Sequence, residues 1–203
     1  MKITNYIKRH KKKTIFLVIL LIFYAFCLPK ELFTKPTSTV ITSNKGELLG
    51  ALIATDGQWR FPYNDSVPQK FKTCLIQFED EYFYKHPGFN PVSIVKAIQQ
   101  NFKAGRVVRG GSTITQQVMR LSRNDKPRTY FEKIIELVLA TRLEFRASKE
   151  EILSYWSSNA PFGGNVVGLD AASWRFFNRK STDLSWAESA TLAVLPNAPK
   201  LIY

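Results

Sequence analysis

Hydrophobic and polar positions follow three different patterns along the chain. The first has no period. From Ile15 to Leu28, "IFLVILLIFYAFCL" is an apolar run of about 14 positions without a charge or a glycine, and Lys8, Arg9, Lys11, Lys12 and Lys13 stand before it. The run is shorter than the ~20 residues usual for a membrane-spanning helix, yet more aliphatic than most core helices. Two readings stay open: a cleaved signal peptide, or an uncleaved signal-anchor helix extended through Tyr6 and Ile7 or over Leu32 and Phe33. "AFCLPKELF" is a poor small-x-small cleavage site, so the anchor fits better. The positive-inside bias then puts a basic tail (1–13) in the cytoplasm, a transmembrane anchor over 14–29, and everything after Pro29 outside.

The second pattern is alternation. Residues 30–67 read as a linker, "KELFTKPTS", followed by "STVITSNKGELLGALIATDGQWRFP". β-branched positions and turn signals at Asn44-Lys45-Gly46 and Asp56-Gly57 predict a small β-hairpin.

The third is helical and runs over 68–203. Phe71, Leu75, Phe78 and Tyr82 recur at helical spacing in a helix that "HPG" ends. Asn90 caps the next, with Pro91 at its first position. Ser112 opens "STITQQVMRLSRN" after a Gly-rich turn, and "RTYFEKIIELVLATRLEFRA" is a long amphipathic helix. Ser148 with Glu151 and Ser185 with Glu188 are capping boxes. Between them lie the loop "NAPFGGNVVG" and a short helix, "DAASWRFFN". The predicted class is mainly α, with no internal repeat.

Composition changes this picture in one respect. The net charge of +13 over 203 residues favours a polyanionic partner: nucleic acid, anionic lipid head groups or a phosphate-bearing substrate. An external domain argues against nucleic acid. Cys27 lies in the apolar run and Cys74 in a predicted helix, so no disulfide is expected.

Candidate chemistry collects in a few places. "QFEDEYFYKHPG" sets Glu79, Asp80 and Glu81 among Phe78, Tyr82, Phe83 and Tyr84. A mid-helix Glu79 beside an apolar face should have a raised pKa, the property of a general base. His86, seven residues on, is by itself a capping or packing histidine as readily as a ligand. "RVVRGGSTITQQ" places Arg106 and Arg109 before a helix N-terminus, which is an anion site. It is no Walker loop, because the lysine is missing. Lys133 and Glu136 share one helical face. "NAPFGGNVVG" is either a cleft lining or a compact turn.

Five stretches in order, "EDEYFYKHPG", "GGSTITQQ", "RTYFEKIIE", "KEEILSYWSSNAPFGGNVVG" and "LSWAESATLAVLPNAP", closely resemble the peptidoglycan glycosyltransferase domain of class A penicillin-binding proteins and monofunctional transglycosylases. The resemblance covers the chain from about residue 37 onward. "ATDGQWRFP" and "APFGGN" look most like the 1C branch of that family.

The resemblance implies a lysozyme-like helical fold with a small lobe that touches the membrane. It implies polymerisation of lipid II: the acceptor 4-hydroxyl attacks C1 of the lipid-linked donor sugar, with inversion, and undecaprenyl pyrophosphate leaves. Glu79 would be the catalytic base and Glu136 the second important carboxylate. Arg109, Arg120, Lys133 and Lys149, with the Ser112–Thr113 helix start, would meet the leaving charge. Asp80, Phe83 and His86 would order the first motif, Gln117 the second, and Asn159 would line the fourth. No cofactor is required, though a divalent metal (magnesium or manganese) near the pyrophosphate is compatible with the reaction. The implied setting is the outer face of the bacterial inner membrane, with lipid II, the growing glycan and other cell-wall synthesis proteins as partners.

Two departures stand out: Glu132 precedes Lys133 where many members have Arg-Lys, and "SYWSSN" replaces a "YLN" pattern. "PNAPKLIY" falls inside the last motif, so the expectation is a domain truncated at its C-terminal end, with no transpeptidase domain. A non-catalytic domain binding lipid II or the cell wall, and a lysozyme-like hydrolase, are the alternatives. A hydrolase has little use for the arginine-rich second motif.

Overall fold

The computed structural model describes residues 10–106, 108, 110–123, 126 and 129–198. Residues 1–32 and 33–203 are two separate compact units. The first carries helix α1 (Lys11–Phe26), which opens on three lysines, is uncharged from Thr14 onward and has no buried side chain. It stops at Phe26. The Cys27 thiol donates to the carbonyl of Tyr24 at 3.1 Å, and Pro29 has no N–H to continue the ladder. The extension over Leu32 and Phe33 is therefore not made, and that toward Tyr6 and Ile7 lies outside the described residues. Among the described residues no helix is long and apolar enough to cross a membrane. The 16 residues of α1 span about 24 Å, against ~30 Å of hydrocarbon.

The second unit opens with the expected hairpin. Strands β1 (Thr39–Thr42) and β2 (Leu48–Leu52) pair antiparallel, Thr39 opposite Leu52. The turn at Asp56-Gly57 does not add a strand to it. Instead β3 (Trp59–Arg60) pairs in parallel with β5 (Val166–Val167), which pairs antiparallel with β4 (Pro161–Gly163). The Gly-rich segment 159–168 thus becomes the hairpin of a three-stranded sheet. Sequence alternation could not reveal that long-range partner.

Seven helices complete the described unit: α2 (Gln69–Glu79), α3 (Pro91–Ala104), α4 (Ile114–Ser122), α5 (Tyr130–Glu144), α6 (Lys149–Asn159), α7 (Leu169–Phe177) and α8 (Trp186–Val194). Asn90 caps α3, accepting from Ser93 N, and both predicted capping boxes are closed. Packing of α2 on α8, and of α4 on α5 and α6, buries Phe71, Leu75, Ile114, Val118, Leu143, Leu153 and Leu192 completely. At the centre Phe71, Trp156 and Phe162 form a three-ring cluster with centroids 6.2–6.3 Å apart, a spacing at which tilted aromatic rings attract.

Two element boundaries differ from expectation, and both differences matter for the site. Helix α2 ends at Glu79 rather than at "HPG". Asp80 leaves the helix (φ −161°), and its carboxylate accepts from the N–H of Ile114 at 3.0 Å and from His86 Nε2 at 2.9 Å. A tertiary contact thus outcompetes helical periodicity, and only a short 3-10 turn (Phe83–Lys85) follows. Helix α4 is capped by Thr113, which accepts from Gln116 N at 3.2 Å, and not by Ser112.

Gly88 closes this corner. Its φ is +89°, and a Cβ there would lie 2.8 Å from the carbonyl oxygen of Ala140. Its carbonyl accepts from the Thr113 hydroxyl at 2.7 Å. Gly88→Ala is therefore expected to destabilise the fold by about 1–3 kcal/mol, read as a lower urea midpoint. An unchanged midpoint would mean that the close approach to α5 is not there.

Candidate active site

The C-terminal end of α2, the first turns of α3, the segment Gly110–Thr113 and one face of α4 enclose a cleft of about 760 Å³. Glu79, Asp80, Ser112, Thr113, Gln117 and Arg120 all line it. The helical pattern placed these residues on separate elements; the fold brings them to one wall.

Glu79 is half-buried, and both its oxygens are held. Gln117 Nε2 donates to Oε2 at 2.6 Å, and Asn197 Nδ2 donates to Oε1. Burial pushes its carboxyl above the usual glutamate range; the hydrogen bonds from Gln117 and Asn197 and the charge of Arg120 pull the other way, while Asp80 adds to the rise. Burial wins because it penalises only the ionised form. Each oxygen keeps a lone pair beyond its one hydrogen bond, so the group can still take a proton from the cleft.

Asp80 lies beside it but acts differently. Its buried carboxylate accepts from Ile114 N, at the N-terminus of α4. The N–H of Ile114 at that helix start is therefore taken by the protein's own carboxylate. His86 donates to Asp80 and accepts from Gly88 N through Nδ1 at 3.2 Å. Phe83 is fully buried, edge-on to the His86 ring. Asp80, Phe83, His86 and Thr113 therefore brace the Glu79 corner from behind.

A cationic corner sits on the other side of α4. Lys133 Nζ donates to Ser112 Oγ at 2.6 Å, Gln116 Oε1 at 3.0 Å and Glu136 Oε2 at 3.3 Å. Glu136 is buried and Lys133 is the cation it meets. Glu132, which stands where a basic residue was the commoner choice, is engaged by Arg123 at 2.8 Å. Among the described residues no group of three or more His, Cys, Asp or Glu could hold a metal ion.

Two expected residues stand elsewhere. Asn159 turns its amide back to the carbonyl of Tyr155 at 2.9 Å, because it ends α6. Lys149 is held by the His86 carbonyl and Glu144, both at 2.8 Å, and lies over the Phe83 ring; it ties α6 to the first motif and does not line the cleft. Arg109 lies outside the described residues. Sequence reasoning missed Asn197, Ser93 and Lys96, which line the cleft, and Trp156, whose indole donates to Gln117 Oε1 at 2.9 Å. A polar residue in a 3-10 turn after α8, about 120 positions from Glu79, carries no local signal of such a meeting.

Residues 45–203 match the family model described as Transglycosylase. The chain is similar to penicillin-binding protein 1C of Escherichia coli (strain K12), 41% identical over 172 residues, 84% of this chain and 22% of that protein. Penicillin-binding protein 1A of Aquifex aeolicus is 35% identical over 83% of this chain and 23% of its own length. The biosynthetic peptidoglycan transglycosylase of Ralstonia nicotianae is 33% identical over 183 residues, 89% of this chain and 77% of that one. The chain thus spans under a quarter of the length of these penicillin-binding proteins, and most of the length of the last.

Proposed function

The chain belongs to the transglycosylase family, and from that premise we propose that it is a peptidoglycan glycosyltransferase that polymerises lipid II. The carrying observation is Glu79: a half-buried carboxylate with a raised pKa and both oxygens fixed, on the wall of a cleft that Arg120 also lines.

The steps follow from the groups present. The acceptor 4-hydroxyl gives its proton to Glu79 as its oxygen attacks C1 of the donor sugar. The bond from C1 to the pyrophosphate oxygen breaks on the opposite face, and its electron pair leaves with the pyrophosphate, so the centre inverts. Pyrophosphate is stable as an anion and needs no proton, only cations preorganised where charge develops. Lys133 and Arg120 supply them, and no cofactor is needed.

The setting is the outer face of a bacterial inner membrane. Helix α1, which opens on Lys11, Lys12 and Lys13 and is uncharged from Thr14 onward, is the core of a signal anchor in this reading. Support for a second membrane contact comes from α3 and α5, which expose Val92, Val95, Ile98 and Phe102, and Tyr130, Phe131 and Ile134. A lipid substrate would be reached from such a surface, in company with other cell-wall synthesis proteins.

The test is incubation of the detergent-solubilised chain with labelled lipid II. Glycan strands are the expected product, with the chain in the membrane fraction of the host. Lipid II bound without strands would make this a binding domain, and cleavage of preformed glycan without polymerisation would make it a hydrolase.

A further inference from the structure

Trp156 is buried to 1% exposure and does not itself line the cleft, yet its one polar atom points toward a residue that does. The indole N–H donates to Gln117 Oε1 at 2.9 Å, and Gln117 Nε2 donates to Glu79 Oε2 at 2.6 Å. We propose that Trp156 is a positioning residue for Glu79, acting through the side-chain amide of Gln117. The proposal rests on Glu79 being the base.

A glutamine amide is nearly symmetric in shape and can present either end. Turned the wrong way, Gln117 would set a carbonyl oxygen against a carboxylate oxygen. Glu79 alone selects the right orientation only while ionised. Once protonated it becomes a donor and could equally hold the carbonyl end, burying its proton in that bond. An indole offers a donor and no acceptor, so it holds Oε1 whatever the state of Glu79. The proton is then carried on the carboxyl oxygen that Gln117 does not engage. Trp156 itself cannot swing away, because its ring is wedged against Phe71 and Phe162. Phe71 lies on the same helix that ends in Glu79, so one residue fixes the backbone and the amide together.

Trp156→Phe keeps a packed ring and removes only the N–H. The measurement is the titration of the Glu79 carboxyl by carbon NMR in the full chain, assigned against Glu79→Gln, beside the pH profile of strand formation. The other charged groups of this neighbourhood, Asp80 and Glu81 after α2, Lys96 on α3 and Arg120 on α4, stay the same in every variant.

Losing a reliable donor raises the carboxyl pKa. Trp156→Phe should move the titration and the acid limb of the profile upward by about half a pH unit or more. Gln117→Leu should do the same. The double variant should move no further than Gln117→Leu alone, since coupled sites do not add. A titration unchanged in Trp156→Phe, or shifts that add in full, would overturn the proposal. If Trp156→Phe fails to fold, an unshifted titration in Gln117→Leu overturns it equally. A parent that forms no strands would instead sink the glycosyltransferase reading, while the titration would still decide the relay.

Discussion

A Glu79→Gln chain is expected to bind lipid II and form strands about 10²–10⁴-fold more slowly, the usual share of a positioned general base. Glutamine has nearly the shape of glutamate and can still accept from Gln117 Nε2, while Asn197 is exposed and free to turn its amide. What is lost is the site for the acceptor's proton. The parent should show the matching pH dependence. Its activity should fall as pH drops through a Glu79 pKa that burial holds above the ordinary glutamate range. Stability runs the other way. A carboxyl whose pKa is raised by folding contributes stability below its unfolded pKa and loses it as pH rises through the folded one. At neutral pH the glutamine variant should therefore melt no lower than the parent. Equal strand formation in the two chains would remove Glu79 as the base. A melt far below the parent would make its carboxylate a structural anchor instead.

Much of this corner was legible in the sequence, and the limits have physical causes. Apolar spacing gave the helices around Phe71, Val118 and Leu143, and Ser–Glu spacing gave both capping boxes, because those signals are local. Glu79 was legible as a carboxylate among aromatic residues, but as a mid-helix one. Its position as the last residue of α2 depends on Asp80 finding the N-terminus of α4, 34 positions on. The same bond takes one N–H of the helix start that follows "RVVRGGS", since a helix start can serve a protein carboxylate as well as a phosphate. Lys149 shows the opposite case. As a lone cation near the right motif it suited the leaving group, yet Glu144, the His86 carbonyl and the Phe83 ring already surround it. The parallel pairing of Trp59–Arg60 with Val166–Val167 was invisible for a related reason: two-residue strands have no measurable period.

Lys133→Met should lower the rate of strand formation by about 10²–10³-fold, the typical cost of removing one preorganised group that meets developing charge. The competing view is that Lys133 merely stabilises α5 through Glu136. Magnitudes decide against it. The lysine side chain is 43% exposed, and an ion pair that open to solvent contributes only ~0.2–1 kcal/mol. The lysine also donates to Ser112 Oγ and Gln116 Oε1, and Ser112 lines the cleft. They also tie the ammonium to the loop and helix that line it, which sets where that charge sits. Removing the lysine leaves Glu136 buried with its cation gone, so an incoming pyrophosphate would meet a negative charge where it had met a positive one. Glu136→Gln in the same chain should therefore recover part of the loss, although by itself it should slow the parent. The effect should fall on kcat more than KM, because the charge is greatest in the transition state. A rate within about threefold of the parent's, or a double variant worse than Lys133→Met, would place the leaving group elsewhere; the former would also leave Arg120 as its principal cation among the described residues.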